Sequence, residues 1–137
     1  MMEIPIQEMF KLAKQALKNA YVPLCKFPVG ACIRTVEGQL FYGCNWENAA
    51  TPLSQCAETS AISQMLSNGY RKISEVVLVA EKIDVCTPCG ACRQRLFEFA
   101  DDNVKIYACG IDGKINKIFE LNELLPAAFR FDLKAAS

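Results

Sequence analysis

A run of closely spaced cysteines is the feature that most restricts what this chain can fold into. The segment "CTPCGACRQR" places Cys86, Cys89 and Cys92 at every third position. Thiols at this spacing are typical of a metal site, a disulfide cluster or an iron–sulfur cradle. Each of these structures needs different partners elsewhere in the chain, so the remaining sequence decides among them.

Length and composition predict one domain that spans residues 1–137. About half of the 137 residues are hydrophobic, which is enough to build a core without covalent staples. No apolar run approaches the roughly 18 residues of a membrane span, and the N-terminus lacks the pattern of a signal peptide. We therefore expect a cytoplasmic protein with no membrane partner, in which the eight cysteines stay reduced.

The charged residues and the missing histidine narrow the possible chemistry. The formal net charge is zero and Lys and Arg form no blocks, so we expect no nucleic-acid partner. The chain has no histidine, which excludes a histidine-based triad, an imidazole base and a histidine-ligated metal. Any catalysis must come from cysteine, a carboxylate or a metal.

The hydrophobic pattern alternates between helical and strand periods. Three main helices are predicted, over 5–21, from about Gln55 to Ser67, and from a Thr87 N-cap and a first-turn Pro88 to about Phe99. Five strands are predicted in "FPVGACIRTV", "QLFYGCN", "ISEVVLVAE", "VKIYACG" and "KINKIFEL". This order favours the α/β class and a three-layer α/β/α sandwich around a five-stranded mixed sheet.

The predicted helices separate three cysteines from the rest. A helix beginning near Pro88 would carry Cys89 and Cys92 on one side of its first turn, where the helix dipole favours thiolates. Cys56, in "QCAETSAI", lies at another predicted helix start. Two helix N-termini directed at one point would give three thiolates and an open fourth position, the plan of a catalytic zinc. The other five are predicted to be small hydrophobic residues in or near the core: Cys25, Cys32, Cys44, Cys86 and Cys109.

A carboxylate stands close to the proposed metal. Glu58 follows Cys56 by two residues, so it can reach the open position without binding the metal. A non-ligand glutamate two residues after the first ligand, followed by P-C-x-x-C, is the pattern of the zinc deaminases. This chain carries it as Cys56-Ala57-Glu58 and "PCGAC". The alternative interpretation is that Glu58 has no catalytic role and is an ordinary acid at a helix start.

Five segments in the same order make the chain resemble the small homotetrameric cytidine deaminases, within the cytidine and deoxycytidylate deaminase superfamily. These segments are "AYVPLCKFPVGA", "GCNWENA", "CAE", "PCGACRQ" and "LLPAAF". The resemblance implies one Zn²⁺ per subunit on Cys56, Cys89 and Cys92, with Glu58 as the catalytic proton carrier. It also implies hydrolytic deamination of cytidine and deoxycytidine in pyrimidine salvage, by a homotetramer whose subunits share active sites.

The same resemblance implies which residues bind the nucleoside. Phe27 would contact it, Asn45 and Glu47 would bind the sugar hydroxyls, and the carbonyl of Ala57 would accept from the amino group. Phe129 would stack on a base bound by a neighbouring subunit. The alternative interpretations are turn residues for Asn45 and Glu47 and core packing for Phe129.

The sequence departs from the family pattern at two places, and both bear on the choice of substrate and on the catalytic rate. Thr59 stands where the family commonly has an arginine that offsets the charge of the thiolates, which leaves the helix dipoles and Arg93 for that task. The segment "AATPLSQ" lacks a tyrosine and a glycine that relatives usually have.

A deaminase of a modified aminopyrimidine nucleoside such as blasticidin S is therefore the alternative, although "NWEN" favours cytidine. Arg93 and Gln94 are equally compatible with an exposed helix face.

Two rival functions fit the sequence less well. An iron–sulfur protein would need a fourth cysteine followed by proline, where this chain has Leu96-Phe97. A structural zinc module for nucleic acid would need a second C-x-x-C and a basic face.

Overall fold

A five-stranded mixed sheet forms the centre of the computed structural model, which describes residues 4–131. The strands are β1 (Val29–Thr35), β2 (Leu40–Cys44), β3 (Ile73–Ala80), β4 (Ala100–Cys109) and β5 (Ile115–Glu120). Their order across the sheet is β2-β1-β3-β4-β5. Only the β3–β4 pair is parallel, and the other three pairs are antiparallel.

Helices cover both faces of the sheet, which confirms the predicted three-layer α/β/α sandwich. Helix α1 (Ile4–Leu17) packs on one face, where its Met9 and Ala13 join the buried strand residues Cys32 and Val77. Helices α2 (Ala57–Ser67) and α3 (Gly90–Phe99) pack on the other face. Successive residues of a strand point to opposite faces, so each strand serves both cores. A 3₁₀ turn (Thr51–Leu53) and the short α4 (Leu121–Leu124) complete the described elements.

Helix α1 ends earlier than predicted. It stops at Leu17, because the next residues form tighter turns and the N–H of Tyr21 donates to the carbonyl of Asn45. Helix α2 begins at Ala57 rather than at Gln55, with Cys56 as its extended N-cap.

The prediction that Thr87 caps a helix with Pro88 in its first turn is wrong. Helix α3 begins at Gly90, and Cys89 is the N-cap, with φ −64° and ψ 165°. The first helical hydrogen bond runs from the N–H of Arg93 to the carbonyl of Cys89. Arg93 also donates to the carbonyl of Pro88, which keeps the preceding residues in an extended path.

All eight cysteines carry free thiols. Cys32, Cys86 and Cys109 are buried and Cys44 is half-buried, as predicted. Cys25 is exposed instead, because it lies in the surface loop between α1 and β1. Within residues 4–131, no helix combines the length and apolar composition needed to cross a membrane.

Gly43 lets α2 lie tightly against β2. A Cβ at this position would come within 2.6 Å of the Ser60 Cβ and 2.8 Å of the Ala61 backbone nitrogen. We expect Gly43→Ala to push α2 away and to lower the free energy of unfolding by about 1–3 kcal/mol, measured by urea denaturation. Gly90→Ala is the matched control, since its Cβ would meet open space. Equal stability of the two variants would contradict the close packing.

Candidate active site

Three sulfur atoms meet at one point beside the sheet. The Sγ atoms of Cys56, Cys89 and Cys92 all lie within 4.8 Å of one another, and those of Cys56 and Cys89 are 3.7 Å apart. Cys92 is buried, Cys56 is half-buried and Cys89 is exposed. The structure thus brings together the three cysteines that the sequence selected.

Two helix N-termini produce this arrangement. Cys56 is the N-cap of α2 and Cys89 is the N-cap of α3, whereas Cys92 lies in the first turn of α3. Cys89 therefore precedes the helix and does not share its first turn with Cys92, contrary to the prediction. Unpaired N–H groups and the dipole at each helix start favour negative charge on the sulfur atoms.

The donor set fits a zinc ion. The neighbouring thiol of Cys56, followed by burial and the charge of Glu58, raises the pKa of the Cys92 thiol. Three thiolates at this separation therefore need a cation between them. Among residues 4–131, the candidate ligand group contains these three thiols and no fourth ligand, so one tetrahedral position is left for water or substrate.

Glu58 is buried beside the sulfur atoms, with 5% of its surface exposed. Burial raises the pKa of its carboxyl, while its backbone N–H, the Cys92 side chain and the charge of Arg95 act in the opposite direction. A carboxyl with a raised pKa exchanges a proton closer to neutral pH, as a general acid–base group requires.

A pocket of about 190 Å³ opens next to this centre. Its lining residues are Phe27, Val29, Asn45, Cys56, Ala57, Glu58, Cys86, Thr87 and Cys89. Six of them were predicted as site residues. Val29, Cys86 and Thr87 were missed, since an apolar strand residue, a core cysteine and a threonine carry no distinctive signal.

Asn45 and Glu47 hold the loop that carries Phe27. The Asn45 amide donates to the carbonyl of Phe27 at 2.8 Å and accepts from the N–H of Val29 at 2.9 Å. The Glu47 carboxylate accepts from the N–H groups of Leu24 and Cys25 at 2.8 and 3.2 Å. Desolvation raises the pKa of the Glu47 carboxyl. The hydrogen bonds from Leu24 and Cys25 and the charge of Lys26 outweigh it, so the pKa lies below its usual value. Glu47 lines an adjacent cavity rather than the pocket itself.

Phe129 lies outside the pocket of its own chain. Its side chain is 71% exposed, so it does not pack in the core. Its carbonyl accepts from the Gln94 side chain at 2.8 Å, which ties the tail to α3.

Arg93 does not reach the thiols, contrary to the suggestion from the sequence. Its guanidinium donates to the carbonyls of Pro88 and Leu124, at 2.8 and 2.7 Å. The arginine that contacts a thiol is Arg95, whose Nη1 lies 3.8 Å from the Cys92 Sγ and 3.2 Å from the Thr59 Oγ1. The sequence indicates this contact through spacing alone: Arg95 follows Cys92 by three residues, and residues three apart on a helix share a face.

Comparison with known proteins decides the family. The family model described as "Cytidine and deoxycytidylate deaminase zinc-binding region" matches residues 4–108. The chain belongs to this family. A cytidine deaminase of Halalkalibacterium halodurans is 39% identical over 123 residues, which are 90% of this chain and 92% of that protein. One from Sporosarcina psychrophila is 36% identical over 90% of both chains.

A solved structure agrees with the family assignment. The crystal structure of cytidine deaminase from Burkholderia pseudomallei superimposes with a TM-score of 0.84 at 35% identity, covering 93% of this chain and all of that chain. The protein is accordingly a zinc-dependent deaminase, a hydrolase.

Zinc retention tests the ligand set. We expect Cys92→Ser to bind well below one zinc per chain after dialysis against a chelator, because a serine hydroxyl is a poor ligand for Zn²⁺. Cys86→Ser is the matched control and should keep one zinc, as its sulfur lies outside the ligand group. Elemental analysis by mass spectrometry gives both values. Equal zinc loss from the two variants would show that Cys86 is a ligand as well.

Proposed function

We propose that this protein hydrolyses cytidine and deoxycytidine to uridine and deoxyuridine, a reaction of pyrimidine salvage in the cytoplasm. The observation that carries the proposal is a buried carboxyl, Glu58, beside three converging thiols at the wall of an open pocket. The names of the relatives, which match over about nine tenths of the chain, support cytidine as the substrate.

The chain's own residues divide the work. Cys56, Cys89 and Cys92 would hold Zn²⁺, which when bound would supply a Lewis acid that makes a water molecule acidic near neutral pH. Glu58 takes a proton from the attacking water as the water oxygen adds to C4 of the base. It passes this proton to the ring N3, then takes the second proton from the new C4 hydroxyl and passes it to the amino group. The C4–N bond breaks, and ammonia leaves.

The remaining site residues orient the nucleoside. The carbonyl of Ala57, at the start of α2, accepts a hydrogen bond from the amino group that leaves. Phe27 contacts the base or sugar from the opposite wall. Asn45 and Glu47 bind the ribose hydroxyls with the donors and acceptors that their backbone hydrogen bonds leave free.

Glu58→Gln tests the reaction directly. The amide keeps the shape of the side chain and cannot carry the proton, so we expect kcat for cytidine to fall about 10²–10⁴-fold. The loss of the cytosine absorbance band measures the rate in zinc-loaded protein. Glu37→Gln, an exposed acid at the β1–β2 turn, is the control.

The same assay compares blasticidin S with cytidine. We expect cytidine to be the faster substrate. Consumption of blasticidin S while cytidine remains intact would contradict the proposed substrate and favour a modified aminopyrimidine nucleoside instead. If kcat is unchanged in Glu58→Gln, Glu58 does not transfer the proton in this reaction.

We further propose a homotetramer in which Phe129 completes the pocket of a neighbouring subunit. Large apolar side chains remain exposed on this chain, among them Tyr21, Leu24, Leu53 and Phe129. Backbone bridges join Tyr21 to Trp46 and Trp46 to Gln55, so two exposed aromatic side chains, Tyr21 and Trp46, lie in one region. Surfaces of this kind are usually covered by a partner.

Mixed subunits test this sharing. We expect Phe129→Ala to raise KM for cytidine, because the base loses a stacking partner. Tetramers reassembled from Phe129→Ala and Glu58→Gln subunits should regain activity, since some pockets then combine an intact Glu58 with an intact Phe129. Activity no higher than the sum of the two separate variants would contradict shared sites. Sedimentation velocity checks the assembly.

A further inference from the structure

The buried thiol of the zinc site presents a charge problem. Three thiolates on one Zn²⁺ carry a net charge of −1, and the Glu58 carboxylate lies beside them. Water can solvate the exposed Cys89 and, in part, the half-buried Cys56. Cys92 is fully buried, so compensation for its charge must come from the protein.

Two side chains from different helices meet at Cys92. Arg95 of α3 lies 3.8 Å from its sulfur and 3.2 Å from the Thr59 hydroxyl, and that hydroxyl of α2 lies 3.7 Å from the same sulfur. The Thr59 oxygen accepts from the Arg95 guanidinium, which leaves its own proton free to point at the sulfur. Cys92 thus receives one charged donor directly and one neutral donor that the arginine polarises.

We propose that Arg95 and Thr59 form a positioning pair that offsets the charge of the Cys92 thiolate and fixes its direction towards the metal. This inference rests on the proposed function, because it assigns the pair to the same zinc site. Hydrogen bonds to a thiolate withdraw electron density from the sulfur, so the sulfur donates less to the metal. The metal then keeps more of its positive charge for activating water.

The effect of Arg95 and Thr59 on the metal-bound thiolate can be measured in a spectrum, without substrate turnover. In the protein loaded with Co²⁺ instead of Zn²⁺, the sulfur-to-cobalt charge-transfer band reports how strongly the thiolates donate. We expect Arg95→Gln to shift this band to longer wavelength. Thr59→Val, which keeps the shape and removes the hydroxyl, should shift it in the same direction by less. Arg71→Gln is the control, because Arg71 donates to the backbone carbonyls of Leu66 and Tyr70 at the C-terminal end of α2.

Activity and rescue complete the experiment. We expect kcat of zinc-loaded Arg95→Gln to fall about 10- to 100-fold, with a smaller change in KM. The double variant Thr59→Arg/Arg95→Gln supplies the cation from α2 and should recover part of both the band position and kcat.

The proposal is overturned if the cobalt band of Arg95→Gln stays at its wild-type position, or if the double variant recovers neither quantity. The spectrum is recorded without substrate. A protein that fails to deaminate cytidine but shows the band shift would therefore refute the proposed substrate and leave the positioning pair intact.

Discussion

The site depends on the meeting of two helix N-termini over one face of the sheet. The dipoles of α2 and α3 favour negative charge at the point where Cys56, Cys89 and Cys92 converge. Three thiolates at one point repel one another, and this repulsion would push the two helix ends apart. The sheet and the metal oppose that repulsion. We therefore expect metal binding to add to the free energy of folding in this protein, as in other sites built from thiolates.

A second constraint fixes the wall of the pocket opposite the metal. Side chains that follow β2 fasten the loop before β1 through its backbone. Asn45 and Glu47 therefore have a structural task besides the sugar contacts that we propose for them. Substitutions there would disturb the position of Phe27 as well as sugar binding, which makes a change in KM alone insufficient to separate the two tasks.

Much of the fold was predictable because it follows from periodicity and from the order of helices and strands. The ligand cysteines and Glu58 were selected by their spacing, and the structure groups them. The start of α3 was misplaced, since Thr87-Pro88 is a good helix opening locally and the contacts of Arg93 with the preceding backbone override it. Arg95, rather than Arg93, reaches a thiol because it follows Cys92 by three residues on α3 and so shares its helix face.

X-ray absorption at the zinc K edge of the zinc-loaded protein measures how many sulfur ligands the metal has. We expect three sulfur neighbours at about 2.3 Å and one oxygen at about 2.0–2.2 Å, which is the signature of a catalytic site with an open position. Four sulfur neighbours would contradict it. In that case Cys86, which lines the same pocket, would close the coordination sphere, and the zinc would be structural.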